Sequence, residues 1–200
     1  MNRPMIEVRD LEAALRSWRP KFLEGEKRAS VALIFHQDRE GLELFFIHRS
    51  ENPRDPWSGH MGFPGGRVDP EDVSPLSAVH REVREEIGFD LQLSGRLLGR
   101  LSDQRAVARG RAVGLVIEVR VFSVPVKAPM QANAEVQDMV WIPLSFFLEP
   151  GNRDEMEYRH SGIDLLLPCY HWASKRIWGL SLRMLDELLV CIGDFLGRRS

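Results

Sequence analysis

The sequence predicts an α+β domain in which a mixed β-sheet lies between helices. Three observations support this fold class: an amphipathic helical pattern near each end of the chain, runs of β-forming residues between them, and a capped helix in the middle. The 200 residues fit one domain of ordinary size. We expect its core at about 28–168 and terminal helices at about 7–18 and 175–196.

The first part of the chain predicts one helix followed by strands. Apolar residues recur at the three-and-four spacing of an amphipathic helix, at Val8, Leu11, Ala14, Leu15 and Trp18. Arg28–His36 is a continuous run of β-forming residues, typical of a buried strand, and Leu42–His48 is its expected hairpin partner. The proline-rich stretch that follows predicts a structured loop that ends in a short strand at Met61–Phe63.

The second half of the chain predicts three more strands, a short helix, a small hairpin and a final helix. The strands cover Gly95–Ser102, Ala112–Val124 and Val136–Ile142, with an arginine-rich loop between the first two. The short helix covers Pro143–Leu148, and the hairpin pairs Tyr158–His160 with Ile163–Leu167 across Ser161 and Gly162. Apolar residues at helical spacing place the final helix at Lys175–Leu196.

Composition and charge exclude several classes of function. The formal net charge of -2 provides no positive field that would attract nucleic acid. Cys169 and Cys191 form neither a disulfide framework nor a metal-ligand spacing. No apolar segment approaches the roughly 20 residues that cross a bilayer, and no secretory signal is visible. We therefore expect a cytoplasmic protein that binds neither nucleic acid nor membrane.

A helix with well-marked ends is predicted in the middle of the chain. Ser74 is a favourable N-cap, and Pro75 suits the first helical position. The helix should run to about Ile87, where Gly88 suits a left-handed stop. One face of this helix carries an apolar stripe, formed by Leu76, Val79, Val83 and Ile87.

A different face of this helix carries the carboxylates of Glu82, Glu85 and Glu86. Three carboxylates on about one turn repel one another and oppose helix stability. A hard divalent cation, which prefers oxygen ligands, explains them better than a solvated acidic face does. Such a cation clamps phosphate oxygens and lowers the pKa of an attacking water.

Two features beside the carboxylates fit the same interpretation. The turn at Gly65 and Gly66 lets the backbone approach the site closely, because glycine has no side chain. Arg81 lies next to the acidic residues and can orient a glutamate through a charge-assisted hydrogen bond.

The segment from Gly65 to Phe89 resembles the Nudix box. In that box a glycine, five residues, a glutamate and seven residues precede Arg-Glu-apolar-x-Glu-Glu-x-Gly-apolar. Residues 81–89 match the second part in full. The first part is one residue longer than the pattern, so that Gly66 leads to Asp72 and Gly65 leads to Glu71. Either acid can fill the first acidic position.

The resemblance implies a Nudix α/β/α sandwich, dependence on Mg²⁺ or Mn²⁺, and hydrolysis of a nucleoside diphosphate linked to another group. It implies that the glutamates at 82, 85 and 86 bind the metal, with Arg81 beside them. Either Glu82 or an acid on a later loop would serve as general base, and Glu135 is the candidate for that later acid, ahead of Asp138. Many Nudix proteins are dimers, so the resemblance also allows a homodimer.

Two flanking segments resemble the coenzyme A diphosphatase branch of the Nudix family. One is Leu44–Gly66, which ends in Phe-Pro-Gly-Gly, and the other comprises Tyr170 and Arg176–Gly179. The branch usually carries Leu-Arg-x-His-x-Gly before the Phe-Pro-Gly-Gly, whereas this chain has Arg54–His60 in that place. This resemblance implies cleavage of coenzyme A or acyl-coenzyme A to 3′,5′-ADP and a phosphopantetheine.

Several residues can bind such a substrate. Arg49 and Arg54 precede the glycine turn and can contact phosphates, and Trp57 can stack on a nucleobase. The arginines at 105, 109 and 111 can reach a 3′-phosphate or a second phosphate. Each has a structural alternative, as a surface arginine or as a tryptophan at the edge of the core.

Two other functions remain open on the sequence. A nucleoside diphosphate sugar or ADP-ribose hydrolase would use the same acidic helix. A non-catalytic Nudix-like module would bind a nucleotide metabolite as a sensor, although the presence of all the box glutamates favours an enzyme.

Overall fold

The computed structural model describes residues 5–53, 57–108, 111–160 and 162–198. Its helices are α1 (Val8–Ser17), α2 (Pro75–Ile87), α3 (Leu91–Ser94), α4 (Leu144–Leu148) and α5 (Gly179–Gly197), and a 3₁₀ turn covers Pro150–Asn152. Its strands are β1 (Lys27–Gln37), β2 (Leu42–Arg49), β3 (Met61–Gly62), β4 (Gly65–Arg67), β5 (Arg96–Arg100), β6 (Gln104–Ala108), β7 (Arg111–Val124), β8 (Val136–Pro143), β9 (Arg153–His160), β10 (Ile163–Trp172) and β11 (Lys175–Trp178).

The larger sheet is mixed, as the sequence predicts. Its central order is β3-β2-β1-β7-β5, while β4 also pairs with β1, β6 with β7, and β8 with β2. Strands β1 and β7 run parallel from Lys27 opposite Leu115 to His36 opposite Val124. The other pairs in this sheet are antiparallel. Because β1 has neighbours on both edges and helices over both faces, its run of β-forming residues is largely buried.

Helices cover both faces of this sheet. On one face, α2 packs its buried apolar residues against β1 and β7, in a cluster that includes Ile34, Val83 and Phe122. On the other face, α1 and α5 contribute to a second cluster, which includes Leu11 and Leu188. This arrangement confirms the predicted α+β class, with a mixed sheet between helices.

Helix α2 begins and ends where the local sequence predicts. The Ser74 hydroxyl accepts a hydrogen bond from the backbone N–H of Ser77 at 3.1 Å, and Pro75 occupies the first turn. Gly88 adopts a φ of 65°, a left-handed conformation that glycine enters without steric cost. These caps fix which turn of the helix faces the glycine strand β4.

The start of the C-terminal helix is a correction. The sequence predicts a helix from Lys175, whereas residues 175–178 form β11 and α5 begins at Gly179. Strand β11 pairs with β10 through Trp178 opposite Cys169, and Gly179 has a φ of 63° at the junction. A strand of four residues is too short to interrupt visibly the helical spacing of apolar residues in the sequence.

Among the described helices, none has the length and apolar character that crossing a bilayer requires.

Two strand predictions were also incomplete. The arginine-rich loop contains a strand instead: Arg105 lies on β6, which pairs with the beginning of β7. The predicted small hairpin extends over β9 and β10, and together with β11 these strands form a separate antiparallel sheet. Strand β6 is only five residues long, and β9 consists mostly of charged and polar residues, so neither gives the hydrophobic signal that predicts a strand.

Candidate active site

The glycine pair forms a strand that lies against α2 rather than a turn. Gly65 has a φ of 139°, and a Cβ at this residue would lie 2.2 Å from the backbone oxygen of Ser30. A Cβ at Gly66 would lie 2.4 Å from the carboxyl carbon of Glu82. The absence of both side chains therefore lets β4 pair with β1 while its backbone touches a glutamate of the helix.

Arg81 links the helix carboxylates to the loop before the helix. Its Nη1 donates to Glu82 Oε1 at 3.0 Å and to Glu85 Oε2 at 3.1 Å. Its Nε and Nη2 donate to the two oxygens of Asp72 at 3.2 and 2.9 Å. Nη2 also donates to the backbone oxygen of Arg67 at 3.0 Å. One guanidinium therefore holds the helix, the loop and β4 together.

Of the two acids that can fill the first position of the motif, Asp72 is the one in this network. Its side chain is 6% exposed, and it accepts the backbone N–H of Asp69 as well as the bonds from Arg81. The hydrogen bond from Arg81 lowers the pKa of Asp72 below its ordinary value, against the opposing effect of burial. Glu71 is exposed at the surface.

Glu86 is buried, which the sequence pattern did not indicate. The residue is 2% exposed, and its Oε2 accepts the backbone N–H of Gly65 at 2.8 Å. Arg49 Nη1 lies 3.7 Å from the other oxygen. Burial raises the pKa of Glu86 to about 8, and the carboxylates of Glu82 and Glu135 act in the same direction. The site thus contains a carboxyl group that is costly to ionise.

Glu135 comes close to the helix glutamates, although it lies far from them in the sequence. Burial raises the pKa of Glu82, Arg81 opposes this, and the charges of Glu85 and Glu135 add to it. The backbone oxygen of Glu135 accepts the N–H of Ser50 at 2.8 Å, which fixes the start of β8 beside the end of β2. The second candidate acid of the sequence, Asp138, instead forms an ion pair with Lys175 at 2.6 Å.

The residues expected to bind substrate are distributed over the site and a neighbouring cavity. Arg49 lies at the carboxylates, whereas Trp57 lines a surface cavity of about 500 Å³. The indole N–H of Trp57 donates to the backbone oxygen of Val107 at 3.2 Å. Arg105 is exposed on β6 and does not line this cavity. The predicted contact residue Arg54 lies outside the described residues, as does Arg109.

A comparison with protein families identifies the domain. A model described as the NUDIX domain matches residues 26–160, which is well over half of the chain. The chain belongs to the Nudix family. The match includes the glycine strand, the loop and α2, which is called the Nudix helix below.

Relatives of known sequence carry the same family name. A probable nudix hydrolase of Schizosaccharomyces pombe is 33% identical over 168 residues, which cover 80% of this chain and 54% of that protein. The chain thus spans about half the length of this relative. An uncharacterized Nudix hydrolase of Yersinia pestis, NudL, is 27% identical over 168 residues, covering 84% of this chain and 81% of its own length. These names agree with the predicted class of Nudix hydrolase.

A solved structure shows the same fold. An Ap4A hydrolase of C. elegans, crystallised as a binary complex, superposes with a TM-score of 0.51 at 18% identity. The superposition covers 62% of this chain and 84% of the other. The predicted Nudix α/β/α sandwich is therefore confirmed.

The carboxylates of the Nudix helix provide suitable donors for a divalent cation, but they do not surround one point. Among the described residues, no three His, Cys, Asp or Glu side chains are grouped as a metal site. Glu82 and Glu85 instead share Arg81 Nη1. Burial raises the pKa of Glu82 and Glu86. The nearby cations Arg81 and Arg49 act in the opposite direction without cancelling that rise. Oxygen donors with excess negative charge fit a hard divalent cation.

The burial of Glu86 is the main feature that sequence reasoning missed. Glu82, Glu85 and Glu86 appear equivalent on a helical projection, because they are three or four residues apart. The structure separates them: Glu85 is exposed, Glu82 is partly buried, and Glu86 faces the backbone of β4. Two features of the sequence could have indicated that Glu86 is buried. It lies beside Ile87 at the edge of the apolar stripe, and the glycines at 65 and 66 leave room for a side chain to pack against their backbone.

Alanine at the two glycines should have unequal effects on stability. Gly65→Ala places a Cβ against fixed backbone at a positive φ, so we expect the free energy of unfolding to fall by roughly 2 kcal/mol or more. Gly66→Ala places its Cβ against the carboxylate of Glu82, which can rotate away, so the loss should be clearly smaller. Urea denaturation of the two variants measures both values. Equal losses would contradict this assignment of fixed and movable neighbours.

The pKa of Glu86 predicts how stability depends on pH in protein stripped of divalent metal. Because burial raises this pKa from 4.5 to about 8, the stabilising protonated form is lost as the pH rises through 8. We expect the melting temperature to fall as the pH rises from about 4.5 to about 8, and to level off above that range. Glu86→Gln, which mimics the protonated form, should reduce that decrease. An unchanged pH dependence in the variant would assign the effect to other groups.

Proposed function

We propose that this protein is a metal-dependent hydrolase that cleaves the diphosphate bond of a nucleotide-like metabolite. The observation that carries the proposal is the carboxylate group on the Nudix helix, where a buried Glu86 lies beside Glu82 against the glycine backbone of β4. Buried carboxylates that repel one another destabilise a fold, so their presence favours a functional role over a structural one.

We assign Glu82, Glu85 and Glu86 to hold Mg²⁺ or Mn²⁺. When bound, the cation would neutralise charge on the diphosphate and lower the pKa of a water molecule. Arg81 would stay in place, because Asp72 and the backbone oxygen of Arg67 hold its other nitrogens. Its proposed role is to position these glutamates.

We assign proton transfer to Glu135. The proposal is supported by the charge of Glu135, which contributes to the raised pKa of both Glu82 and Glu86. Glu135 is exposed, whereas Glu82 is held by Arg81. A water molecule positioned for attack on the diphosphate would transfer its proton to a Glu135 oxygen. Glu82 is the alternative base, and the burial that raises its pKa would make it a better proton acceptor than an ordinary glutamate.

The preferred substrate in this proposal is coenzyme A or an acyl-coenzyme A, which would yield 3′,5′-ADP and a phosphopantetheine. Its support is the sequence resemblance at Leu44–Gly66 and Arg176–Gly179. In the structure the first segment carries Arg49, which reaches the carboxylates. The second forms the end of β11 and the start of α5, where Ser181 bonds to the backbone oxygen of Met61 on β3. The second segment therefore lies near the end of β2 that carries Arg49.

A substrate panel tests this proposal. Purified protein is incubated with Mg²⁺ or Mn²⁺ and with coenzyme A, acetyl-coenzyme A, ADP-ribose, NADH and nucleotide sugars, and the products are identified by mass. We expect 3′,5′-ADP from coenzyme A to appear fastest. Faster cleavage of a nucleotide sugar or ADP-ribose would assign the enzyme to that class instead. A protein that binds these compounds without cleaving any would be a sensor module.

Replacement of one glutamate tests the metal assignment. Glu85→Gln should lower kcat by a factor of about 100 or more, on the order of 3 kcal/mol of transition-state stabilisation, because a neutral amide binds Mg²⁺ poorly. The matched control is Glu24→Gln, which removes one exposed negative charge before β1. Turnover of Glu85→Gln close to that of the control would remove Glu85 from the metal site.

Replacement of Trp57 tests its contact with the base. If its ring stacks on the nucleobase, Trp57→Ala should raise KM roughly tenfold, since stacking contributes about 1–3 kcal/mol per base. Trp57 also packs against the core, so the melting temperature is measured in parallel. An unchanged KM with a lower melting temperature would assign Trp57 a structural role.

A further inference from the structure

The cavity beside Trp57 has the character of an anion-binding pocket. Its lining includes three basic residues, Lys27, Arg28 and Arg67, together with the indole and one acid, Glu26. We infer that this pocket binds a phosphate monoester on the nucleoside part of the substrate. The substrate would then be a nucleotide that carries one phosphate in addition to its diphosphate. This inference rests on the proposed function.

The register of the sheet brings two of these cations together. Lys27 lies opposite Leu115 on β7, and Arg67 on β4 lies opposite Ala29 on β1. Lys27 and Arg67 are therefore diagonal neighbours on one face of the β1–β4 pair, a relation in which residues are typically about 7–8 Å apart. Two long basic side chains at this separation can contact the same phosphate group.

The charges in the pocket are not balanced within the protein. The charge of Arg28 is already neutralised by an ion pair, since its Nη1 lies 2.7 Å from Glu118 Oε1. For Lys27 and Arg67, the part of the chain that the structure describes provides no ion pair. Glu26 is exposed and offsets one of these two cations. One net positive charge therefore remains on this pair, and the anionic oxygens of a phosphate monoester can accept hydrogen bonds from both basic side chains.

The pocket is connected directly to the carboxylates. The backbone oxygen of Arg67 accepts a hydrogen bond from Arg81 Nη2 at 3.0 Å, and the preceding residue, Gly66, touches Glu82. A ligand with its diphosphate at the glutamates can therefore place its nucleoside over β4 and into the pocket. Trp57 forms a fixed wall there, because its indole is bonded to Val107 and packed on the core. An aromatic ring held in this way suits stacking with a nucleobase.

This assignment differs from the one that the sequence suggested for the same phosphate. Arg105 was the expected contact, but on β6 it lies opposite Val116 and is absent from the lining of the pocket. Lys27 had no functional interpretation in the sequence, because its neighbours on β4 and β7 are distant along the chain. Only the pairing of the three strands makes it part of a site.

A binding experiment without metal tests the pocket independently of catalysis. Calorimetric titration of the full chain compares 3′,5′-ADP with 5′-AMP, which differ by one phosphate. We expect 3′,5′-ADP to bind about tenfold more tightly, and Lys27→Ala/Arg67→Ala to abolish that preference. The control Arg183→Ala removes an exposed cation from α5 and should retain it. Equal binding of the two nucleotides by the unmodified protein would overturn the inference.

An activity comparison separates this inference from the proposed function. For the unmodified enzyme, kcat/KM should be about tenfold higher for coenzyme A than for 3′-dephospho-coenzyme A, and the double variant should lose only this ratio. The charge-conserving exchange Lys27→Arg/Arg67→Lys should keep most of it. If the unmodified enzyme cleaves both compounds equally, the proposed hydrolase activity is supported and the proposed phosphate pocket is contradicted. If neither is cleaved while 3′,5′-ADP is still preferred in binding, the pocket is supported and the proposal that coenzyme A is the substrate is contradicted.

Discussion

The candidate site depends on one hydrogen bond, from the backbone N–H of Gly65 to the carboxylate of Glu86. It joins the Nudix helix to β4, which is itself paired with the central strand β1. A side chain at Gly65 would collide with the backbone of Ser30, so only glycine allows β4 to reach this position. The arrangement buries a carboxyl group whose pKa rises to about 8, a destabilising feature that a purely structural contact would avoid.

Arg81 offsets the repulsion among the remaining carboxylates and determines where they point. Its fork shares one nitrogen between Glu82 and Glu85 and commits the others to Asp72 and β4. Guanidinium groups suit this role, because their donors are fixed in a plane and keep their charge. The bonds of Arg81 to Asp72 and to the backbone oxygen of Arg67 do not involve the two glutamates, so they anchor the guanidinium independently of them.

Features that depend on local chemistry were predictable from the sequence, and features that depend on distant neighbours were not. The ends of the Nudix helix follow from Ser74 and Gly88, whose effects operate within one turn. The acidic residues were identified by spacing alone, but spacing could not distinguish the buried Glu86 from the exposed Glu85. That difference comes from β4, which packs on only one of them. The sequence missed β6 and shortened β9 for a related reason, since their pairing partners stabilise these strands more than their own composition does.

Strand β1 connects the chemistry of the two parts of the site. It pairs with β4 on one edge and with β7 in parallel on the other, so the positions of Lys27, Arg67 and Leu115 are set by a single strand. The carboxylates contact β4 through Gly65 and Gly66, while the pocket begins at the next residue of the same strand. A diphosphate and its nucleoside would therefore bind to adjacent residues of one rigid ladder. Recognition of the nucleoside can then set the position of the bond to be cleaved, because no flexible segment separates the two contacts.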